Sequence, residues 1–297
     1  MLLLLLGLGV PKDVGPIGEV LGARVLGRRP GGCVNFGAAL LSGKGVAADK
    51  PRAVALFQQS CNAGNATGCV SLAIAYAAGG KGDVAKALPL FQKACDLGHP
   101  EGCYSVAVIL EGGGLGIPAD AERARSLYQV ACNGGYGNAC NNLGVGYAER
   151  NDHKSAVALY EKGCAAGSLI ACNTLGIALE DGRKGVAANP KRAASLYQKA
   201  CDGGLALGCK NLWSMYRSGE KIPKDLERAL ALEEQACAAG EADGCFAASF
   251  QYGLAMGVPK DINRAKALLA KSCELGLQKA CEVIDRLKAP LAKPAKP

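Results

Sequence analysis

From residue 53 onward one order of apolar positions recurs seven times. An alanine opens it: Ala53, Ala87, Ala124, Ala156, Ala193, Ala229 and Ala265. A leucine follows three places later: Leu56, Leu90, Leu127, Leu159, Leu196, Leu232 and Leu268. A cysteine stands eight places after the alanine: Cys61, Cys95, Cys132, Cys164, Cys201, Cys237 and Cys273. The fourth place after the alanine is aromatic in five of the seven, as Phe57, Phe91, Tyr128, Tyr160 and Tyr197. Offsets of three, four and eight share one face of an α-helix. Three places past each cysteine comes glycine: Gly64, Gly98, Gly135, Gly167, Gly204, Gly240 and Gly276. A helix that ends in a left-handed turn wants a residue without Cβ there. The cysteine therefore closes one helix.

A second cysteine, eight residues after the first, opens the next helix: Cys69, Cys103, Cys140, Cys172, Cys209, Cys245 and Cys281. A small residue precedes it (Gly68, Gly102, Ala139, Ala171, Gly208, Gly244, Ala280). Seven places into this helix stands Tyr76, Tyr147, Tyr216 or Tyr252, or else Leu110 or Leu179. A glycine-rich stretch such as 111–118 then breaks it. Successive first cysteines lie 34, 37, 32, 37, 36 and 36 residues apart. The pattern predicts an all-α fold, a right-handed α/α superhelical solenoid of about seven helix-pair repeats.

Composition agrees. Apolar residues make up 49% of the 297, but aromatics only 5%, which suits close-packed helices better than a sheet. The net charge of +8 is spread along the chain, with no basic stripe beside stacking aromatics, and this argues against nucleic-acid binding. A mildly basic surface favours encounters with acidic proteins or membrane surfaces.

The 15 cysteines are the outlier. Within one helix, eight residues span about 12 Å. A disulfide needs Cα atoms closer than about 7 Å. The chain must turn back between the two, and the glycine supplies the turn. Seven local disulfides follow: Cys61 with Cys69, Cys95 with Cys103, Cys132 with Cys140, Cys164 with Cys172, Cys201 with Cys209, Cys237 with Cys245, and Cys273 with Cys281. Zinc sites place ligands two to four residues apart, and only two histidines are present, so no metal and no cofactor are expected. Cys33 is the odd cysteine, because the register places Val25 where its partner belongs. The run 35–49 echoes 173–189, so Cys33 opens a true repeat helix and is expected to be a buried thiol in a degenerate capping repeat. A thiol that pairs between molecules is the alternative.

Residues 1–32 read as a leader or degenerate capping segment, whose start (MLLLLLGLGV) is similar to a signal-peptide core without its basic end. It is too short to span a membrane. Residues 33–288 form the repeat region. Residues 289–297 form a Pro- and Lys-rich tail expected to be disordered. So many paired cysteines point to an oxidising compartment, secreted or periplasmic.

The run from Ala193 to Gly204 (Ala-x-x-Leu-Tyr-x-x-Ala-Cys-x-x-Gly) and the run from Leu143 to Tyr147 resemble the Sel-one-like repeat, a relative of the tetratricopeptide repeat. The cysteine pair eight apart resembles the Helicobacter cysteine-rich protein subfamily. The resemblance spans about residues 33–288. It implies disulfide-bridged helix pairs in a secreted or periplasmic adaptor of protein complexes. Some members of that subfamily carry penicillin-binding or β-lactamase names. Two departures stand out. Arg150 replaces the glycine that usually ends the helix, and Trp213 sits where other repeats have a small residue.

A serine β-lactamase needs Ser-x-x-Lys, Ser-Asp-Asn and Lys-Thr-Gly, with the serine at a helix start. Only Ser218 to Lys221 matches the first, in a loop between helices, and the other two motifs are missing. His99 and His153 are expected to be surface residues. Catalysis is therefore the weaker reading. Binding of a protein or peptide is the stronger one, by a chain that is monomeric, is not inserted in a membrane and binds no nucleic acid. The first helices of the pairs are expected to line a concave face. The exposed candidates there follow the second cysteines: Tyr104, Asn141, Asn142, Asn173, Lys210, Asn211 and Phe246.

Overall fold

The structure is a computed structural model and describes residues 30–78, 84–113 and 116–288. The leader up to residue 29 and the tail 289–297 lie outside the described residues. Fifteen helices account for most of the rest: α1 Pro30–Ser42, α2 Lys50–Asn62, α3 Ala66–Ala77, α4 Val84–Asp96, α5 Pro100–Gly112, α6 Ala121–Asn133, α7 Gly137–Glu149, α8 His153–Ala165, α9 Leu169–Glu180, α10 Pro190–Asp202, α11 Ala206–Ser218, α12 Leu226–Ala238, α13 Ala242–Leu254, α14 Ile262–Glu274 and α15 Gln278–Lys288. The described residues contain no strand. The fold is all-α, a helix-pair repeat array of the solenoid class. Odd-numbered helices open on a second cysteine or on Cys33. Even-numbered helices close on a first cysteine.

Six of the closing helices start from a side-chain cap. Asp49, Asp120, Asp152, Asn189, Asp225 and Asp261 each accept a hydrogen bond from the backbone N–H three residues on. This satisfies one of the donors that a helix N-terminus leaves open. The repeat alanine is buried in the first six repeats, and the aromatics Phe57, Phe91, Tyr128, Tyr160 and Tyr197 are at most 4% exposed. The leucine beside them is half-buried, except Leu232, which is buried.

Each closing helix ends in one hydrogen-bonded turn. Gly204 adopts φ 92°, its N–H bonds to the Cys201 carbonyl, and the Leu205 N–H reaches back to the Ala200 carbonyl at 2.9 Å. All seven glycines of this register have φ between 81° and 93°. A Cβ added to any of them meets no atom within 4 Å, so backbone conformation alone demands glycine. The turn brings the two cysteines of a pair to Cα separations of 4.4 to 4.9 Å, with their sulfurs bonded. The small residue before the second cysteine permits this approach. A Cβ on Gly102 meets the Cys95 nitrogen at 2.7 Å.

Arg150 is accommodated by its neighbour. Asn151 takes the left-handed turn (φ 64°) that glycine usually takes, and Asp152 then caps α8. Asparagine tolerates that region better than other side chains.

The structure divides into two compact units, one up to Leu143 and one from Gly144. In the first, α1 to α6 pack in chain order, and α3 also touches α1 and α5. Cys33 sits on α1, 2% exposed. In the second, α8 to α15 pack in chain order. One core there joins Tyr160, Leu175, Tyr197, Leu212, Trp213 and Leu232.

Candidate binding site

Opening and closing helices of one repeat meet where a glycine admits a ring. A Cβ on Gly37, Gly144 or Gly176 meets Phe57, Tyr160 or Tyr197 respectively at 2.5 Å. The next repeat exchanges the two sizes. Trp213 takes the glycine's place, and Glu233 takes the place of the aromatic ring. Trp213 is 3% exposed, and the Glu233 side chain is wholly buried.

Glu233 is held on two sides. The Gln251 amide donates to its Oε2 at 2.9 Å, and Arg217 Nη1 lies 3.5 Å from Oε1. The arginine contact lacks hydrogen-bond geometry, so Glu233 Oε1 and Gln251 Oε1 are both buried without a hydrogen bond. Burial pushes the Glu233 carboxyl up to about 7, against the opposing pull of Arg217 and Gln251.

Beside Arg217 lies a concave site of about 520 Å³, bounded by α11, α13, the turn after α13 and the start of α15. Its apolar wall is Trp213, Phe246, Phe250, Leu254 and Met256. Phe246 and Phe250 meet edge to face, with centroids 4.8 Å apart. The polar rim is Lys210, Arg217, Lys279 and Asp243. Asp243 bonds Lys210 at 2.7 Å and lies 3.8 Å from Lys279, and the Lys210 hydrogen bond holds its carboxyl below the usual range. Lys279 also rides 5.4 Å over the Phe246 ring.

The residues singled out from sequence divide into three places. Lys210 and Phe246 come together in this concavity. Tyr104 packs against Tyr128 and Tyr136, and near it Asn141 bonds Asn142, which bonds the Tyr128 hydroxyl. Asn173 and Asn211 join across one repeat at 2.9 Å. The expectation of exposure fails at Tyr104, Asn141 and Asn173, which are 3 to 6% exposed. The Tyr104 ring is covered by Tyr128 and Tyr136 of the closing helix and the turn after it, and Asn173 faces Asn211 of the next opening helix. Trp213, Arg217, Phe250, Asp243 and Lys279 were not singled out as contacts. The break in the aromatic register at Glu233 is the sequence signal that leads to them.

Ser218 and Lys221 do not form a serine–lysine couple. Ser218 ends α11, where its hydroxyl donates to the Met215 carbonyl. Lys221 is gripped by Asp181 at 2.5 Å and Glu180 at 2.8 Å, which raise its pKa and leave it a poor base. Glu180 also accepts from the Tyr197 hydroxyl at 2.8 Å. His99 is half-buried, with an Nδ1 that has no hydrogen-bond partner and a pKa lowered by burial, so it is not the surface residue expected. His153 begins α8, partly exposed. Among the described residues no group of three or more His, Cys, Asp or Glu could hold a metal, and no helix is long and apolar enough to cross a membrane.

Helix pairs in tandem, each stapled to the next, define an α-helical repeat protein. The chain belongs to the Sel1 repeat family, whose repeat matches residues 32–65, 66–99, 100–136, 137–168, 169–205, 206–241 and 242–277. In that register each repeat is an opening helix followed by a closing helix, and the disulfides lie between consecutive repeats. Sel1 repeat proteins are in general protein-interaction scaffolds. Among solved structures, the chain is similar to c5321, a protective antigen of uropathogenic Escherichia coli with an SLR fold. That match has 20% identity and a TM-score of 0.68 over 93% of this chain, and this chain spans 59% of the length of that one. It is also similar to a Sel1 repeat protein from Oxalobacter formigenes, at 25% identity and a TM-score of 0.65 over 71% of this chain and 88% of the other. Helicobacter pylori cysteine rich protein B matches 44% of this chain and 92% of its own, at 27% identity and a TM-score of 0.36. No curated protein matches.

Proposed function

We propose that this protein is a non-catalytic scaffold of the cysteine-rich branch of the family. It binds a protein or peptide as a monomer in the periplasm or outside the cell. The binding surface we assign is the side of the opening helices, expected from the sequence to be concave. The observation that carries the reading is the aromatic concavity between α11, α13 and α15 with its rim of cations. Concave apolar surface edged by a few polar groups is what recognition sites use. The cysteine pairs support an oxidising compartment, because such density persists there and not in a reducing cytosol.

Photo-crosslinking in cells tests this. A crosslinker at exposed opening-helix positions such as Ser214 should yield a discrete protein adduct. One at closing-helix positions such as Gln198 should not. Adducts confined to the closing helices, or none at either, contradict the reading.

A further inference from the structure

We propose that the concavity between α11, α13 and α15 binds a peptide segment that carries carboxylates beside apolar side chains. This rests on the scaffold reading and names the chemistry of its ligand. Three observations point to it.

The first is charge. Lys210, Arg217 and Lys279 edge the site, and the single rim carboxylate, Asp243, is shared by the two lysines. One acid serving two ammonium groups leaves each lysine with donors to spare. The rim therefore selects an acid and repels a base. The segment 289–297 of this chain carries Lys293 and Lys296 and no acidic side chain, so it has the wrong charge.

The second is Arg217. Its side chain is 40% exposed and approaches Glu233 at 3.5 Å without a hydrogen bond. Guanidinium presents five donors in a fixed fork, which suits a second carboxylate bound from the open side. Glu233 is thus a positioning residue: it draws the guanidinium to the wall of the cavity and leaves its donors available.

The third is local cost. Phe57, Phe91, Tyr128, Tyr160 and Tyr197 fill the position that Glu233 occupies, and Leu269 keeps it apolar in the last repeat. Only the repeat 206–241, which supplies Trp213 and Arg217 to the cavity, places a carboxylate there. Two buried oxygens without hydrogen bonds, one on Glu233 and one on Gln251 of the next repeat, are a local cost to stability. The apolar ledge nearby stays uncovered, with Phe250 39% and Leu254 65% exposed. Such a ledge would accept the ligand's apolar side chains.

Trp213 is the only tryptophan in the chain, so its emission reports the site directly. The probes are three blocked pentapeptides: acetyl-Leu-Glu-Phe-Glu-Leu-amide, and the same sequence with Gln or Lys in place of Glu. The Glu peptide is expected to give a saturable change in Trp213 emission. The Gln peptide should bind about tenfold more weakly, and the Lys peptide not at all. Arg217→Gln should weaken the Glu peptide about tenfold. Arg192→Gln, a surface change outside the site, should leave it unaffected. If Arg217→Gln unfolds the protein, Lys279→Gln replaces it, with about threefold weakening expected, and the peptide series on the unaltered protein still decides. Equal binding of all three peptides overturns the proposal, as does no binding up to about 1 mM. It is also overturned if only anionic phosphatidylserine vesicles, or self-association seen by sedimentation, change the emission. A crosslinked partner that persists undiminished in Arg217→Gln sinks this proposal and leaves the scaffold reading standing. No adduct and no peptide binding sink both.

Discussion

Replacing Glu233 by glutamine removes a charge that the fold holds in the wrong place. The carboxyl is wholly buried, and its pKa rises from 4.5 to about 7, mainly through loss of solvent. The folded state therefore prefers the protonated form. That preference is fully present below about pH 4.5 and is lost as pH rises through about 7. At 1.36 kcal/mol per pKa unit, the rise removes about 3 kcal/mol of stability between about pH 4 and about pH 8. Glutamine keeps the shape and can still accept from Gln251, but it has no proton to lose. Urea unfolding followed by Trp213 emission, at a series of pH values, isolates the effect, because the other titrating groups cancel in the difference between the two proteins. The stability of the original minus that of Glu233→Gln should fall by about 3 kcal/mol across this range. Parallel curves would refute the assignment of a buried, uncompensated carboxylate.

Three further outcomes follow from the geometry. Gly204→Ala should cost about 1 kcal/mol in thermal unfolding, all of it backbone conformation, since φ is 92° and no atom crowds the new Cβ; an unchanged midpoint counts against the left-handed turn. Removing one staple with Cys164→Ala and Cys172→Ala should cost about 2.5 kcal/mol in urea unfolding. A loss below about 0.5 kcal/mol would mean that helix packing alone sets the turn. Ser218→Ala should leave nitrocefin turnover at the level of the unaltered protein, because the hydroxyl caps α11 and Lys221 is tied to Glu180 and Asp181. A drop on substitution restores the hydrolase reading.

The repeat was legible because its determinants are local. Cysteine, alanine, leucine and glycine each answer to the helix that carries them or to the turn that follows, and a fixed register displays them. The caps were equally local but went unread: Asp49, Asp120, Asp152, Asn189, Asp225 and Asp261 stand at one register position, four residues before the repeat alanine. Exposure was less legible. Whether Tyr104 or Lys210 faces solvent depends on which side chains pack around it in three dimensions, and the same register position gives a buried ring in one and an exposed ammonium in the other. Trp213 signalled altered packing in the sequence, but its compensation lies 20 residues on, at Glu233, and only the packing of α11 on α12 connects them. The concavity gathers residues from three opening helices, with separations of up to 69 residues between Lys210 and Lys279, and no motif spans that distance.

The central claim is a scaffold whose repeats are stapled one to the next in an oxidising compartment. Peptide mass mapping without reduction, on protein alkylated as it leaves its native compartment, tests it most directly. The account predicts seven bridged peptides, each joining cysteines eight residues apart, with Cys33 outside them. Seven or more alkylated cysteines, or bridges between different pairs, would contradict it.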